Sequence, residues 1–339
     1  MKRHLSDTTR FAAVAAALLA IGALVSAPAL AGGAKPSGRG HGTEGNGHKE
    51  DDGVCKQVAQ DTLRSCRNGI RDEYWLAIAR CENASATDTA RHSDSGSDFC
   101  DRTAREDLKM QQQDCTDQRD ARNDVCDQLG GGSYNPKIDP GDFADAIDNR
   151  YLPLVPGTTF HYRAQTAAGV ELDDVEVTHE TRSILGVPCT VVHDTVTLGG
   201  DLTEDTIDWY AQDKAGNVWY FGEEAKQYAD GILVGIDGSW MAGVDGALPG
   251  IVMEANPAIG DVYRQEFAIG EAEDMGQVQA LGQSVSVPYG SFTNALETKE
   301  FSALEPGTTE NKYYVPTVGF VQAVDPATGE HQDLVSITN

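Results

Sequence analysis

Three patterns of apolar and polar positions divide the chain. Phe11 to Ala27 is one continuous apolar run rich in Ala and Leu. Residues 54–84 and 98–129 are polar stretches with scattered apolar positions, no Pro and one Gly, Gly69. From Thr158 onward, short segments rich in Val, Thr, Tyr and Trp are bounded by Gly, Pro or Asp. The first pattern predicts a targeting segment, the second a pair of helices and the third a set of β-strands.

The apolar run follows Lys2, Arg3 and Arg10 and ends in Pro28-Ala29-Leu30-Ala31 before Gly32. A basic start, a short apolar run and an Ala-x-Ala end define a cleavable secretory signal over residues 1–31. No Cys follows closely, so a lipid anchor is not expected. No other stretch is long and apolar enough to span a membrane after cleavage. The expected destination is therefore secreted or periplasmic, where disulfides persist. Residues 32–53 are Gly-rich and nearly without apolar side chains, which predicts a flexible linker. His41 and His48 within it have no partner at metal-ligand spacing and read as solvated.

Six cysteines organise the helical region. Cys55, Cys66, Cys81, Cys100, Cys115 and Cys126 are separated by 11, 15, 19, 15 and 11 residues, a palindrome. Spacings of 11 and 15 lie close to three and four helical turns, so each trio shares one helix face. In two antiparallel helices, facing residues have a constant index sum. Here that sum is 181 for Cys81–Cys100, Cys66–Cys115 and Cys55–Cys126. The Ser-, Thr- and Asp-rich stretch Ser85 to Ser97 reads as the connecting loop. Residues 54–129 are thus expected to form an αα-hairpin with a ladder of three disulfides. Its apolar supply is thin: Val54, Val58, Leu63, Ile70, Tyr74, Trp75, Leu76 and Ile78 in the first helix, little beyond Phe99, Leu108, Met110, Val125 and Leu129 in the second. Cross-links would compensate by restricting the unfolded chain. A Zn or redox site is excluded by the lack of Cys-x-x-Cys and of nearby His.

Residues 136–339 read as a β-rich domain, which makes the fold class α+β. Strands are expected at 158–166, 170–182, 189–198, 203–212, 218–222, 226–236, 262–268, 277–287, 295–302, 309–315, 320–324 and 333–337. Asp142 to Arg150 reads as a short helix, and Asp245 to Ile251 as a loop near a rim. Short connections without intervening amphipathic helices favour an antiparallel up-and-down barrel, half-barrel or sandwich.

Several stretches of this domain carry a likeness. They are Asn149 to Thr158, Asp208 to Lys214, Gly216 to Glu223, Val287 to Phe292 and Tyr313 to Val321. Together they resemble a group of uncharacterised secreted bacterial proteins of lipocalin-like or half-barrel type. The likeness covers residues 140–338 and leaves out the helical hairpin. It implies a fold class and brings no activity.

Charge narrows the partners. The chain has 26 basic and 53 acidic residues, a net of −27. Residues 54–128 carry 11 basic and 15 acidic residues, a net of −4, whereas Pro136 onward carries 9 and 33, a net of −24. An acidic surface of this kind disfavours nucleic acid and anionic membranes. The expected partner is a small ligand or an extracellular or periplasmic protein.

Candidate chemistry is sparse. Cys189, the seventh cysteine, shares a strand with His193, but four residues of strand place them about 13 Å apart, too far for a hydrogen bond. Cys189 therefore reads as a buried free thiol. Asp173, Asp174 and Glu176, or Glu271, Glu273 and Asp274, offer oxygen ligands for Ca2+, though neither set matches an EF-hand loop. No cofactor is otherwise required. Trp209, Tyr210, Trp219, Tyr220 and Trp240 are candidates for lining a ligand cavity. No hydrolase, metalloprotease, P-loop or dinucleotide motif is present. The sequence thus favours a non-catalytic exported protein, a rigid helical arm on a β-rich binding domain. Its alternatives are an extracellular carboxylate-dependent hydrolase and a Ca2+-dependent surface or matrix module.

Overall fold

A computed structural model describes residues 53–87 and 95–339. The expected signal and nearly all of the expected linker lie outside the described residues. So do residues 88–94, between the two helices.

Helix α1 spans Val54–Thr87 and helix α2 spans Ser95–Leu129. Both run further into the Ser85–Ser97 stretch than its loop-like composition predicts. Disulfides join Cys55 to Cys126, Cys66 to Cys115 and Cys81 to Cys100, with Cα atoms 5.7, 5.8 and 5.8 Å apart. The apolar seam is small: Leu63, Ile70 and Cys115 with Leu108 and Cys66 against them. At the base, Gly130 and Gly131 take φ of +92° and +76°, a left-handed turn that terminates α2. The Gly131 carbonyl then accepts from the Cys55 amide at 3.2 Å, so the end of one helix satisfies the start of the other.

The remaining strands are β1 (Ile147–Asp148), β2 (Pro153–Leu154), β3 (Thr159–Thr166), β4 (Gly169–Ile184) and β5 (Val187–Leu198). Next come β6 (Asp201–Gln212), β7 (Val218–Ala229), β8 (Ile232–Gly235), β9 (Trp240–Met241) and β10 (Leu248–Met253). Then follow β11 (Val262–Arg264), β12 (Glu266–Phe267), β13 (Asp274–Val287) and β14 (Gly290–Ser302). The last are β15 (Thr309–Val315), β16 (Gly319–Val324) and β17 (His331–Thr338).

Strands β3 to β7 pair in sequence order, as do β13 to β17, and β17 returns to pair with β3. All pairings are antiparallel. The two ends of this sheet meet in one segment. Val262–Arg264 pairs with β13, while Glu266–Phe267 pairs with β10, which pairs with β7. One stretch of chain thereby nearly closes the sheet into a barrel. Gly250 in β10 permits the approach, because a Cβ there would clash with the Gln265 and Arg264 carbonyl oxygens.

Three sequence expectations differ from this fold. The 142–150 segment is not a helix: after a short 3-10 turn at Pro140–Asp142 it is extended. Tertiary contacts override its local preference. Ile147, Leu152 and Leu154 join the barrel core, Gln212 exchanges hydrogen bonds with Asp148, and Asn149 donates to the Gly216 and Glu254 carbonyls. The segment plugs that end of the barrel. The expected strand 226–236 is two strands, because Asp230 and Gly231 both take positive φ and turn the chain back. Residues 245–251 are a loop only in part, since Leu248–Met253 is strand β10.

The helical hairpin stands at the other end. Gln118 on α2 donates to the Leu304 carbonyl at 2.8 Å, and Arg122 reaches Glu273. The connection is fixed too, by the Tyr134 hydroxyl on the Pro249 carbonyl at 2.8 Å.

Candidate functional site

Between the hairpin base and the barrel lies a cleft of about 210 Å³. Val54, Val58, Ala59 and Val125 of the hairpin form one apolar wall. Tyr134, Phe267, Ile269 and Ala303 form much of the other. Three charged side chains line it: Arg122, Glu273 and Arg264.

Two of the three neutralise each other. Arg122 donates from Nε and Nη2 to both Glu273 oxygens at 2.7 and 2.8 Å, and both residues are buried. The Gly270 amide donates to Glu273 Oε1 at 2.8 Å, which occupies the carboxylate further. Arg264 is placed differently. Its guanidinium carbon lies 4.8 Å from the Phe267 ring centre and 5.6 Å from that of Tyr134. One Nη is 3.9 Å from the Met275 sulfur, and its buried Nε has no hydrogen-bond acceptor among the described residues. Burial lowers the Arg264 pKa, with the Glu273 charge opposing that shift. Burial also raises the Tyr134 hydroxyl to about 12, so it stays a neutral donor.

The barrel interior is a second unusual environment. Its apolar half holds Phe160, Val177, Val187 and Val218 around the plug. Toward the hairpin end, the buried face carries Glu171, Asp173, Asp194, Asp208, Glu223, Glu266 and Glu300. Lys312 answers part of this charge, 2.6 Å from Glu300 and 3.5 Å from Glu310. Asp208 accepts from the Tyr220 hydroxyl at 2.5 Å. Burial pushes Asp173, Asp208, Glu223 and Glu266 well above the usual carboxylate range. Like charge adds to this: Asp194 acts on Asp173 and Asp208, Glu266 on Glu223, and Asp274 on Glu266. Glu204, Asp274 and Glu310 are raised to about 7, again chiefly by burial. Asp173, Asp208, Glu223 and Glu266 therefore hold their protons more tightly than free carboxyls do.

The residues singled out in the sequence are distributed as follows. Trp209, Tyr210, Tyr220 and Trp240 are buried in the core, with Tyr210 stacked on Tyr220 at 4.6 Å and Arg182 over Trp209 at 4.1 Å. Trp219 is half-buried and donates from Nε1 to Asp213 at 2.8 Å. Strand alternation separates the first Ca2+ trio: Asp173 is buried, Asp174 and Glu176 exposed. In the second set Glu273 is taken by Arg122, while Glu271 is exposed. Among the described residues no group of three or more His, Cys, Asp or Glu has a geometry that could hold a metal ion. Cys189 is fully buried and its thiol is pushed up to about 12. His193 instead meets Asp205, Nε2 to Oδ1 at 2.9 Å.

One outer-wall contact has the connectivity of a hydrolase relay. His161 meets Asp174 Oδ1 at 2.6 Å through Nδ1 and Thr338 Oγ1 at 3.0 Å through Nε2. It sits on an open face, with the Asp174 side chain 60 % exposed.

The cleft residues Arg122, Tyr134, Arg264 and Phe267 carry no motif. The usable sequence signal was scarcity: Arg264 is one of only 9 basic residues after Pro136 and sits among Val262, Tyr263 and Phe267.

The fold and cleft define an α+β protein with a disulfide-stapled hairpin seated on a near-closed antiparallel barrel-like sheet. No family model matches the chain, and no curated relative is similar to it. Among solved structures it is similar to a candidate lipoprotein from Parabacteroides distasonis. That likeness has 12 % identity and a TM-score of 0.32, over 57 % of this chain and 100 % of that one.

Proposed function

We propose that the protein is an exported, non-catalytic binding protein whose ligand site is the cleft between the hairpin and the barrel. The observation that carries this reading is an apolar cleft between the hairpin and the barrel, with a guanidinium on its wall that forms an ion pair with no carboxylate among the described residues. Pockets of this composition use apolar surface for affinity and a few polar groups for orientation. The stapled hairpin serves as a rigid arm that supplies one wall. Three disulfides support an extracytoplasmic location. Among the described residues no helix is long and apolar enough to cross a membrane.

A small neutral apolar probe tests the reading. Toluene should raise the Tm of the mature protein, and a cleft-filling Ala303→Phe or Val125→Phe change should abolish that rise. No rise in the parent protein, or an equal rise in both filled variants, removes the cleft as the site. A hydrolase of another kind than the carboxylate-dependent one has a single contact in its favour, Thr338–His161–Asp174. Labelling of Thr338 by a fluorophosphonate, lost in His161→Ala, would favour it.

A further inference from the structure

The cleft has a net positive charge in a protein of net charge −27. We propose that its ligand is a small amphipathic monocarboxylate, with the carboxylate on Arg264 and the hydrocarbon tail along Val54, Val58, Ala59 and Val125. This deepens the binding reading above and rests on it.

Three observations select that chemistry. First, the Arg122–Glu273 pair is closed on itself, so among the described lining residues Arg264 is the charge left for a ligand. A guanidinium presents a planar fork that matches a carboxylate with two parallel hydrogen bonds. The Phe267 and Tyr134 rings beside it restrict the side chain before a ligand arrives, which lowers the entropy lost on binding. Second, one free guanidinium beside the Glu273 carboxylate suits a single negative charge. A dianionic head group would bring a second negative charge to a cleft whose net charge is a single positive one. Third, size limits the tail. An apolar cavity of roughly 150 Å³ takes benzene, so this cleft admits a ligand of about ten non-hydrogen atoms.

Octanoate and octanol have the same total number of carbons and separate the two claims. Calorimetric titration of the mature, oxidised chain should show one saturable site for each, with octanoate bound roughly tenfold tighter or more. Arg264→Met should erase that difference and leave octanol binding intact, while Arg264→Lys retains part of it. Equal affinity for the two ligands in the parent protein would overturn the carboxylate assignment and leave the cleft in place as a site. Failure of both ligands to bind would overturn the binding reading itself. A second measurement does not depend on a variant folding. The carboxyl carbon of labelled octanoate, followed by 13C resonance, should stay ionised to lower pH when bound than when free. An unshifted titration of the bound ligand would equally overturn the role of Arg264.

Discussion

Arg122 and Glu273, 151 positions apart in sequence, meet in a buried two-pronged ion pair that joins the helical hairpin to the barrel. Each is desolvated, so removal of one leaves the other charge buried and unanswered. Glu273→Gln or Arg122→Met should each lower stability by about 3 kcal/mol in chemical denaturation. The double variant should recover much of that loss, because its remaining groups carry no unpaired charge. Additive single losses would show that the two residues do not act as a pair.

The disulfide ladder should be separable from the barrel. Its three links close loops of 71, 49 and 19 residues. In the chain-entropy model the innermost link alone contributes about 3 kcal/mol, and the outer two add less because the loops are nested. Reduction should therefore remove the helical signal in circular dichroism at a temperature where the β signal persists. Peptide mapping without reduction should recover the same three pairs.

Acid should stabilise the barrel. Asp173, Asp208, Glu223 and Glu266 all hold their protons more tightly in the folded chain than in the unfolded one. Stability from such groups is full below the unfolded carboxyl range of about 4 and declines as pH rises through their folded values. For Glu204, Asp274 and Glu310 that decline is centred between the unfolded range and about 7. Lys312, raised above its ordinary value, keeps its contribution over the whole of this window. The Tm should thus be several degrees higher at pH 5 than at pH 8. Glu266→Gln should flatten this slope and raise the Tm at pH 8, since the neutral amide replaces a carboxyl that repels its neighbours. A Tm that increases from pH 5 to pH 8 would contradict the buried-acid assignment.

Cys189 should be chemically silent in the folded protein. Its sulfur lies 3.6 Å from the Val187 carbonyl oxygen, and burial raises its pKa to about 12, so the thiolate population near neutral pH is negligible. Disulfide-exchange reagents should label it only at the rate of unfolding. Rapid labelling of the native protein would show the site to be open.

Much of the architecture is legible in the sequence. The cysteine palindrome specifies the pairing Cys81–Cys100, Cys66–Cys115 and Cys55–Cys126, because helical pitch and antiparallel packing leave one nested solution. The expected strand over 170–182, rich in Val and Thr and bounded by Gly, is likewise found within Gly169–Ile184. Such periodicities are local, and the sequence carries them whole.

Other features depend on contacts between distant residues, and tertiary structure alone decided them. The helical preference of 142–150 yielded to burial of Ile147 and Leu152 in the barrel mouth. Strand alternation aims Asp173 and Glu266 at the interior, but the pattern does not say that both meet other carboxyls there, since that follows from register across several strands. The cleft is the extreme case. Val58, Arg122, Tyr134 and Arg264 come from both helices' base, a connecting turn and a barrel strand. No local pattern encodes their convergence, because it is set by how the hairpin seats on the barrel.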